Sequence, residues 1–351
     1  MNRLLAIIGR FAPETMEIME TRYRVLRQIF YQQPVGRRQL GKALGYPERL
    51  VRSEVDYLKA RGAVETTPAG IFITPGGEDM LREIDEILPW LFNIHTLAMQ
   101  IKDRFELDEV VIVPGDSMID EFTQQDLSRA AAEYLRKILY PDCILAVTGG
   151  TTLAGMAQSI RPGIDVSGSI VVPARGGLGE EVETQANTIA ATIANRLGAQ
   201  YRLLHIPDNL EESTAEALKK DIHISEVIQI IKSANILVHG IGPAMEMAYR
   251  RSLTPDEVHF LQENQARGEA LRYYYDRWGK IIFEVPGLGL ERSDLGRIQT
   301  IVAVAGGSNK AEAIEAVLCS GQENVLITDE GAAYKIINGK EAFIHGSKDC
   351  D

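Results

Sequence analysis

The apolar spacing at the start of the chain is that of short helices followed by a hairpin. The sequence predicts an amphipathic helix over residues 21–30, a second helix over 36–44 and a third over 47–62. Residues 63–75 contain two short β-prone runs on either side of TPAG, a turn sequence. Three helices and a hairpin predict a winged helix-turn-helix domain, which we assign to residues 1–77.

A second apolar pattern follows this domain. From Met80 to Ile101, apolar side chains recur at alternating steps of four and three residues. The positions are Met80, Ile84, Ile87, Leu91, Ile94, Ala98 and Ile101. This heptad-like seam predicts that the helical linker, residues 78–106, pairs with a copy of itself; the alternative is a helix packed on its own domain. Pro89 falls inside the run and should kink the helix or start a second one.

After residue 106, apolar strands alternate with helical patterns. The predicted strands are 109–113, 144–147, 169–173, 201–206, 235–240, 300–306 and 324–328. Buried strands joined by crossover helices predict a mostly parallel, doubly wound α/β sheet over residues 107–351. Residues 270–285 instead predict a hairpin that turns at RWGK, residues 277–280, and lies at the edge of the domain or over its pocket.

The charge of the chain is unevenly distributed between these parts. The chain has 351 residues and a formal net charge of −12. Residues 1–62 carry twelve Lys/Arg and six Asp/Glu, a balance of +6, whereas the remainder carries 25 basic and 43 acidic residues, a balance of −18. Because duplex DNA is a dense polyanion, this distribution favours DNA as a partner of the first domain alone.

The third predicted helix carries a polar face opposite its apolar stripe. Arginines and Ser53 lie on this face together with Asp56, as expected for a helix that enters a DNA groove. The alternative is a solvated surface with an ordinary mixture of charges, and Glu54, near the apolar stripe, fits neither interpretation well. The candidate DNA-contacting residues are Arg37, Arg38, Arg49, Arg52 and Ser53.

Other features argue against secretion, membranes and metals. The three cysteines, Cys143, Cys319 and Cys350, and the six scattered histidines lack zinc-binding spacing, which predicts reduced thiols and no metal site. No apolar stretch approaches the roughly 20 residues that span a bilayer. The apolar run at the amino terminus is too short for an export signal. We therefore expect a cytoplasmic protein without a membrane partner.

Glycine-rich loops follow three of the predicted strands. They are TGGTT at 148–152, ARGGLGEE at 174–181 and AGGSNK at 305–310. The carboxyl ends of parallel strands lead into helix N-termini, whose free N–H groups bind anions, and glycines let the backbone approach an oxygen closely. Thr151, Thr152 and Ser308 could add hydroxyl donors. The loops therefore predict a phosphate site; the alternative is that the glycines only permit tight turns.

Cations accompany these loops. Arg175 and Lys310 lie in two of them, and the pair Arg250 and Arg251 follows the strand that ends in HGIG. So many cations favour two phosphates over one. The loops do not match a Walker motif or a complete dinucleotide-binding fingerprint.

The phosphate site could serve catalysis or sensing. A sugar-phosphate isomerase would need a carboxylate or histidine beside the sugar. The conceivable bases are Asp116, Glu180, Glu181, His205 and Glu269. They form no recognisable local constellation, so sensing is favoured, with an isomerase-like enzyme carrying an appended helical domain as the alternative. A protein-interaction module is a third possibility.

Six motifs carry a family resemblance. VTGGTT, VPARGGLGE, QANTIA, LVHGIG, VAVAGGSNKAEAIEAV and TDEGAA occur in this order behind a basic helix-turn-helix. The chain resembles the SorC type of sugar-responsive bacterial repressors over nearly its whole length. The resemblance implies a sheet domain similar to sugar-phosphate isomerases that senses fructose-1,6-bisphosphate without converting it, and a dimer or tetramer on operator DNA. It implies no cofactor besides this effector.

The resemblance also implies roles for residues of this sequence. Gly149, Gly150, Thr151 and Thr152 would hold one phosphate together with Arg175 and Lys310. Arg250 and Arg251 would hold the other phosphate, with Gln185 and Glu269 at the sugar.

Overall fold

The computed structural model describes residues 2–339 except 86, 93, 178–180, 209 and 211. The chain divides into two compact units, Met1–His95 and Thr96–Asp351. The division falls inside the segment 78–106, so the helices of the predicted linker are shared between the two units.

Helices and a short hairpin build the first unit. The helices before the hairpin are α1 (Asn2–Phe11), α2 (Pro13–Gln32), α3 (Arg37–Leu44) and α4 (Glu48–Ala60). The antiparallel strands of the hairpin are β1 (Val64–Thr67) and β2 (Gly70–Ile73). Val35 forms a single antiparallel bridge with Ile71 of β2, as a one-residue third strand at the edge of the hairpin. The predicted winged helix-turn-helix is confirmed.

The apolar stripe of α4 enters the core of this unit. Val51, Val55 and Leu58 are buried against residues of α2 that include Leu26 and Ile29. The turn between α3 and α4 depends on Gly45, whose φ of +67° lies in the left-handed region that favours glycine. This packing leaves the opposite face of α4 at the surface.

Three separate helices cover the predicted linker, and one of them is the new helix expected at Pro89. They are α5 (Pro75–Asp85), α6 (Leu88–Leu91) and α7 (His95–Phe105). Pro89 lies in the first turn of α6, where its missing N–H leaves no helical hydrogen bond unmade, so it starts a new helix. Met80 and Ile84 pack on the core of the first unit, which supports the alternative interpretation for this part of the seam. Pairing with a second copy stays a prediction.

A seven-stranded parallel sheet forms the core of the second unit. Its strands are β3 (Glu109–Val113), β4 (Ile144–Val147), β5 (Ile170–Pro173), β6 (Gln200–Tyr201), β7 (Ile236–Gly240), β12 (Thr300–Val304) and β13 (Val325–Asp329). The order across the sheet is β3-β13-β12-β7-β4-β5-β6. From β4 the chain runs outward to β5 and β6, then returns to β7 on the other side of β4. This reversal is the switch point of a doubly wound sheet, and the predicted α/β fold is confirmed.

The strand predicted over 201–206 is shorter than expected. Only Gln200–Tyr201 pairs with β5. Beyond it, the N–H and carbonyl groups of Leu204 bond to the side chain of Asn187 instead of a neighbouring strand. The side chain of Asn187 thus takes the place of the strand-to-strand backbone hydrogen bonds that the apolar pattern predicts.

Helices connect the strands of the sheet. They are α8 (Glu121–Ile138), α9 (Thr151–Ser159), α10 (Ala186–Leu197), α11 (Glu212–Leu218), α12 (Ile222–Lys232), α13 (Ala244–Arg250), α14 (Pro255–Glu263), α15 (Arg292–Leu295), α16 (Ala311–Leu318) and α17 (Glu330–Asn338). Within the described residues, none of the helices combines the length and the apolarity needed to cross a bilayer.

A smaller antiparallel sheet adjoins the carboxyl end of β7. It contains β8 (Gly242–Pro243), β9 (Gly268–Ala270), β10 (Tyr273–Tyr275) and β11 (Ile281–Glu284), in the order β11-β10-β9-β8. Strands β10 and β11 form the predicted hairpin, and the chain reverses at 277–280 as expected.

Candidate functional site

A cavity opens where the strand order of the parallel sheet reverses. Its volume is about 360 Å³, and it is lined by residues that follow β4, β5, β7 and β12. Open α/β sheets bind ligands in this crevice. The expected ligand-binding residues that line it are Gly149, Gly150, Thr151, Thr152, Arg175, Gln185, Arg250, Glu269 and Lys310. The structure thus brings together residues that are far apart in the sequence.

Two glycines shape the loop between β4 and α9. A Cβ atom on Gly149 would lie 2.7 Å from the carbonyl oxygen of Thr184. Gly150 has a φ of +129°, and its N–H donates to the same carbonyl at 2.8 Å. Larger residues would strain this loop, because the first position lacks space and the second needs a backbone angle that favours glycine.

The amino-terminal turn of α9 presents backbone donors. Ala154 donates to the carbonyl of Gly150 at 2.9 Å and so begins the hydrogen-bond ladder of the helix. The N–H groups of Thr151, Thr152 and Leu153 precede that ladder, and all three residues line the cavity. Free N–H groups at the positive end of a helix dipole bind anions.

The Thr152 hydroxyl is oriented by a neighbouring helix. It is buried and accepts a hydrogen bond at 2.8 Å from Nε2 of Gln124 on α8. Because a hydroxyl carries one proton, accepting this bond leaves that proton to be donated to a ligand. Thr151, by contrast, is exposed.

Two aspartates fix the loop 305–310. The Oδ2 atom of Asp329 accepts from the N–H of Gly307 at 2.6 Å, and Oδ1 of Asp116 accepts from the N–H of Ser308 at 3.0 Å. Burial raises the pKa of Asp116, but hydrogen bonds from Ser308, including one from its side chain, keep that pKa below its ordinary value. The Ser308 hydroxyl, expected at the ligand, is therefore used inside the protein, and Ser308 does not line the cavity.

Two cations line the cavity without a carboxylate partner in the described chain. Lys310 precedes α16 and Arg250 ends α13; neither makes an ion pair within 4.0 Å with any described residue. Glu246, one helical turn before Arg250, also lines the cavity. The free cations are available to an anionic ligand.

Four buried side chains form a charge ring: Arg175, Asp208, Arg251 and Glu269. Nη1 of Arg175 lies 3.3 Å from Oδ2 of Asp208 and 3.4 Å from Oε1 of Glu269. Arg251 closes the ring, with Nη2 at 2.5 Å from Oε1 of Glu269 and Nη1 hydrogen-bonded to Oδ2 of Asp208. Nη1 of Arg175 also donates to the carbonyl of Leu271 at 2.5 Å. Two cations thus balance two carboxylates inside the protein.

Burial opposes the charged forms of both carboxylates in the ring. It raises the pKa of Asp208 to about 6, although Arg175 pulls in the opposite direction. Burial likewise raises the pKa of Glu269, again against the attraction of Arg175. Burial thus outweighs the attraction of Arg175 at both carboxylates, and the net shift of each pKa is upward.

The position of Arg251 differs from the expectation that it holds a phosphate. Its side chain is 0% exposed, it does not line the cavity, and its guanidinium is engaged by Asp208 and Glu269. Arg250 lines the cavity instead, because successive helical residues point about 100° apart. The two neighbours therefore have different surroundings.

A histidine and a glutamate are buried beyond the ring. Nδ1 of His239, on β7, lies 3.1 Å from the carbonyl of Gly240, and its Nε2 lies 3.7 Å from Oε1 of Glu323. Burial lowers the pKa of His239 to about 4 and raises that of Glu323 to about 7. His239 is therefore neutral near pH 7. His239 lies in the LVHGIG motif but was not singled out from the sequence, and Glu323 lies in none of the six motifs.

The conceivable bases do not converge on one point. Glu181 and Glu269 line the cavity, whereas Asp116 and His205 do not. Glu180 lies outside the described residues. Across the described part of the chain, no cluster of three or more His, Cys, Asp or Glu side chains could hold a metal ion.

The first unit presents a basic surface on α4. Arg49, Arg52 and Ser53 are exposed there, opposite the buried stripe. On α3, the Arg38 side chain is 89% exposed, with Nε 3.8 Å from Oε2 of Glu48. These four residues share the surface that a helix-turn-helix presents to a DNA groove.

Carboxylates on α4 hold two other arginines. Nη2 of Arg37 lies 3.1 Å from Oδ1 of Asp56. Nε of Arg22, on α2, lies 2.9 Å from Oε2 of Glu54, and its guanidinium stacks 3.6 Å from the centre of the Tyr57 ring. The contact with Arg22 accounts for Glu54, which neither interpretation of the helix face explained.

Two family models match the chain. Residues 91–338 match the model described as "Putative sugar-binding domain", and residues 18–88 match the "CggR N-terminal DNA binding domain". The matches fall on the parts of the chain that contain the cavity and the basic face of α4.

Curated relatives and solved structures agree with these models. The chain is 38% identical over 338 residues to the central glycolytic genes regulator of Priestia megaterium (strain DSM 319 / IMG 1521), covering 96% of this chain and 99% of that protein. Identity to the central glycolytic genes regulator of Bacillus subtilis (strain 168) is 37%, with coverage of 96% and 99%. A SorC family transcriptional regulator from Enterococcus faecalis has 36% identity and a TM-score of 0.65, covering 69% of this chain and 100% of that structure.

A more distant structure extends the likeness in fold. The full-length sorbitol operon regulator SorC from Klebsiella pneumoniae is 19% identical, with a TM-score of 0.65 over 90% of this chain and 98% of that one. At this identity the likeness concerns the fold alone.

Proposed function

The chain belongs to the SorC family of sugar-binding transcriptional regulators, and from this we propose that it represses glycolytic genes until fructose-1,6-bisphosphate fills its cavity. Both the DNA-binding and the sugar-binding parts of the family are present. At the coarser level the chain is a sugar-responsive, DNA-binding regulator of glycolytic genes. Repression and the identity of the sugar are the parts that we propose.

The combination of a helix N-terminus with two unpaired cations carries the proposal. The N–H groups at the start of α9 supply one anion site, with Lys310 as its cation. Arg250 is a second cation that attracts Glu269 but makes no ion pair within 4.0 Å with a described carboxylate, so a ligand with two phosphates uses the lining more fully than one with a single phosphate. This argument favours a bisphosphate.

Polar side chains between these groups suit a sugar. Gln185 and Glu269 line the same cavity and can bond to hydroxyl groups. Arg175 is partly neutralised by its carboxylate partners, so we assign it to the wall of the phosphate site and leave the main charge to Lys310.

Operator DNA is the proposed partner of the first unit. Arg49, Arg52 and Ser53 on α4 are exposed at the position of a recognition helix, and Arg38 adds an exposed charge on α3. Arg37 joins them only if it exchanges Asp56 for a DNA phosphate. The ligand can weaken DNA binding only by favouring a conformation that binds DNA less well.

An isomerase is not supported. The relatives are transcriptional regulators, not enzymes, so the chain is a regulator. We further propose that it acts in the cytoplasm as a dimer or tetramer, without a membrane partner and without a cofactor besides the effector.

A thermal-shift panel tests the identity of the effector. A ligand that binds only the native state raises the melting temperature by mass action. Fructose-1,6-bisphosphate should raise it clearly, fructose 6-phosphate less, and fructose not at all. Equal shifts with fructose and its bisphosphate, or no shift with the bisphosphate, would refute the assignment.

A further inference from the structure

Two members of the charge ring lie behind the wall of the cavity. With backbone and side chain counted together, Asp208 is 2% exposed and Arg251 is 3% exposed, and neither lines the cavity. The other two members, Arg175 and Glu269, do line it. The ring thus has a front pair that can meet a ligand and a back pair that cannot.

The contacts of Glu269 with the ring fall on one of its two oxygens. Nη2 of Arg251 and Nη1 of Arg175 both approach Oε1, at 2.5 Å and 3.4 Å. Among the described residues, both hydrogen bonds that Glu269 accepts go to Oε1 and none goes to Oε2. A planar guanidinium with fixed N–H directions holds a carboxylate in one orientation. Oε2 is therefore the oxygen left to accept a hydrogen bond from the cavity.

Asp208 fixes Arg251 in turn. The carboxylate of Asp208 bonds to Nη1 of Arg251, and the carboxylate of Glu269 bonds to Nη2, so the two arms of the guanidinium hold different partners. A lysine could supply the charge at this place but not both arms. The forked geometry of the Arg251 guanidinium, in addition to its charge, therefore sets the orientation of the Glu269 carboxylate.

We infer that Arg251, anchored by Asp208, is a positioning residue that makes the cavity select hydroxyl-bearing ligands. It holds Glu269 so that Oε2 accepts a hydrogen bond from a sugar hydroxyl, while the phosphates bind to other groups. This inference rests on the proposed function, in which a phosphorylated sugar is the ligand.

Two ligands that differ in their hydroxyl groups test the inference. Fructose-1,6-bisphosphate and hexane-1,6-diol bisphosphate both carry two terminal phosphates on six carbons, but only the first has hydroxyls. Calorimetric titration of R251K should show about a tenfold or greater loss of affinity for the sugar bisphosphate. Affinity for the diol bisphosphate should be unchanged, because its phosphates do not use Glu269.

Two further variants separate positioning from general stability. D208N weakens the anchor by removing its charge but leaves every lining residue in place, so it should shift the preference in the same direction as R251K. Arg104 is a half-buried arginine on α7 that donates to the carbonyl of Ile336 at 2.7 Å and neither lines the cavity nor contacts the ring. R104K should therefore lower the melting temperature without changing the ratio of the two affinities.

The outcomes are distinct. Equal losses for both ligands in R251K would mean that Arg251 acts on the phosphates or on the fold, and unchanged affinities in both R251K and D208N would mean that it positions nothing. Either result overturns the inference. A wild-type protein that binds neither ligand would remove the proposed function and this inference together.

Discussion

At the scale of single residues, replacing Arg250 should weaken ligand binding without changing DNA binding. It lines the cavity without a described carboxylate partner. R250A should weaken fructose-1,6-bisphosphate binding by about 10- to 100-fold, the loss expected for a charge-assisted contact. Operator affinity without the sugar should be unchanged, so the variant should repress without responding.

The charge-matched control for this variant is R297A. Arg297 is exposed and does not line the cavity. Calorimetry on both variants measures the difference. If R250A bound the bisphosphate as tightly as R297A, Arg250 would have to be removed from the site.

The raised pKa of Glu323 leads to a second prediction, which concerns the pH dependence of the unfolding free energy. Burial raises its pKa from 4.5 to about 7, so the folded state holds the proton more tightly than the unfolded state. The stability it contributes is complete below pH 4.5 and is lost as the pH rises to about 7. Relative to E323Q, the wild type should lose roughly 3 kcal/mol of unfolding free energy between about pH 4.5 and pH 8.

Denaturant unfolding of both proteins across that range measures the effect. His239, whose pKa burial lowers to about 4, is present in both proteins, so its own titration largely cancels in the difference. A difference that does not vary with pH would show that Glu323 is not held protonated.

The sequence predicted which residue types lie near the glycine loops. It did not predict which of the two neighbouring arginines at the end of α13 lines the cavity. Arg250 and Arg251 are chemically identical neighbours, and only one lines the cavity. A signal was present, because Ala244, Met247 and Ala248 form a buried stripe that Arg251 continues at helical spacing. Asp208 gave no such signal, since its partners are distant in sequence.

At the scale of elements, the start of α9 depends on the backbone angles of its glycine loop. Gly150 has a φ of +129° and Gly198, at the end of α10, has a φ of +75°; a Cβ atom at either site would meet nothing within 4 Å. Alanine at each should cost about 1–3 kcal/mol through backbone strain alone.

Only the first of these substitutions should affect the ligand. G150A displaces the N–H groups of α9 and should lower bisphosphate affinity at least about tenfold, whereas G198A should leave it unchanged. Melting temperatures and titrations of the two variants give both quantities. Equal affinities in G150A and G198A would exclude α9 as the phosphate site.

The exposed arginines of α4 lead to a prediction about how operator affinity depends on salt concentration. If Arg49 and Arg52 each contact a DNA phosphate, R49A and R52A should each reduce the slope of log affinity against log salt by about 0.9. The sugar affinity of both variants should equal that of the wild type. Operator titrations at several salt concentrations, with R297A as the control, would show the reduction; an unchanged slope would place the DNA elsewhere.

The elements were predicted well where one periodicity dominates and less well where local contacts compete with it. Strands β4, β5, β7, β12 and β13 follow buried apolar runs. The linker departs from its heptad pattern because Pro89 starts a new helix and Met80 and Ile84 pack on the first unit. The strand after α10 ends early because Asn187 bonds the backbone of Leu204. Long-range side-chain bonds of this kind leave no local pattern.

At the scale of the whole molecule, residues 1–62 have a charge balance of +6 and the remainder of the chain one of −18. The basic part precedes an acidic body whose parallel sheet has Arg175, Arg250 and Lys310 at its switch point. The sugar must therefore bind two conformations of the protein unequally if it is to change the affinity for DNA. Unequal binding also requires that DNA weaken the sugar affinity by the same factor.

Operator affinity measured by fluorescence anisotropy, with and without saturating fructose-1,6-bisphosphate, tests the central claim most directly. The account predicts that the bisphosphate weakens operator binding at least about fivefold in the wild type, and has a clearly smaller effect in R250A at a sugar concentration that just saturates the wild type. Unchanged operator affinity in the wild type when the cavity is shown by calorimetry to be full would contradict it.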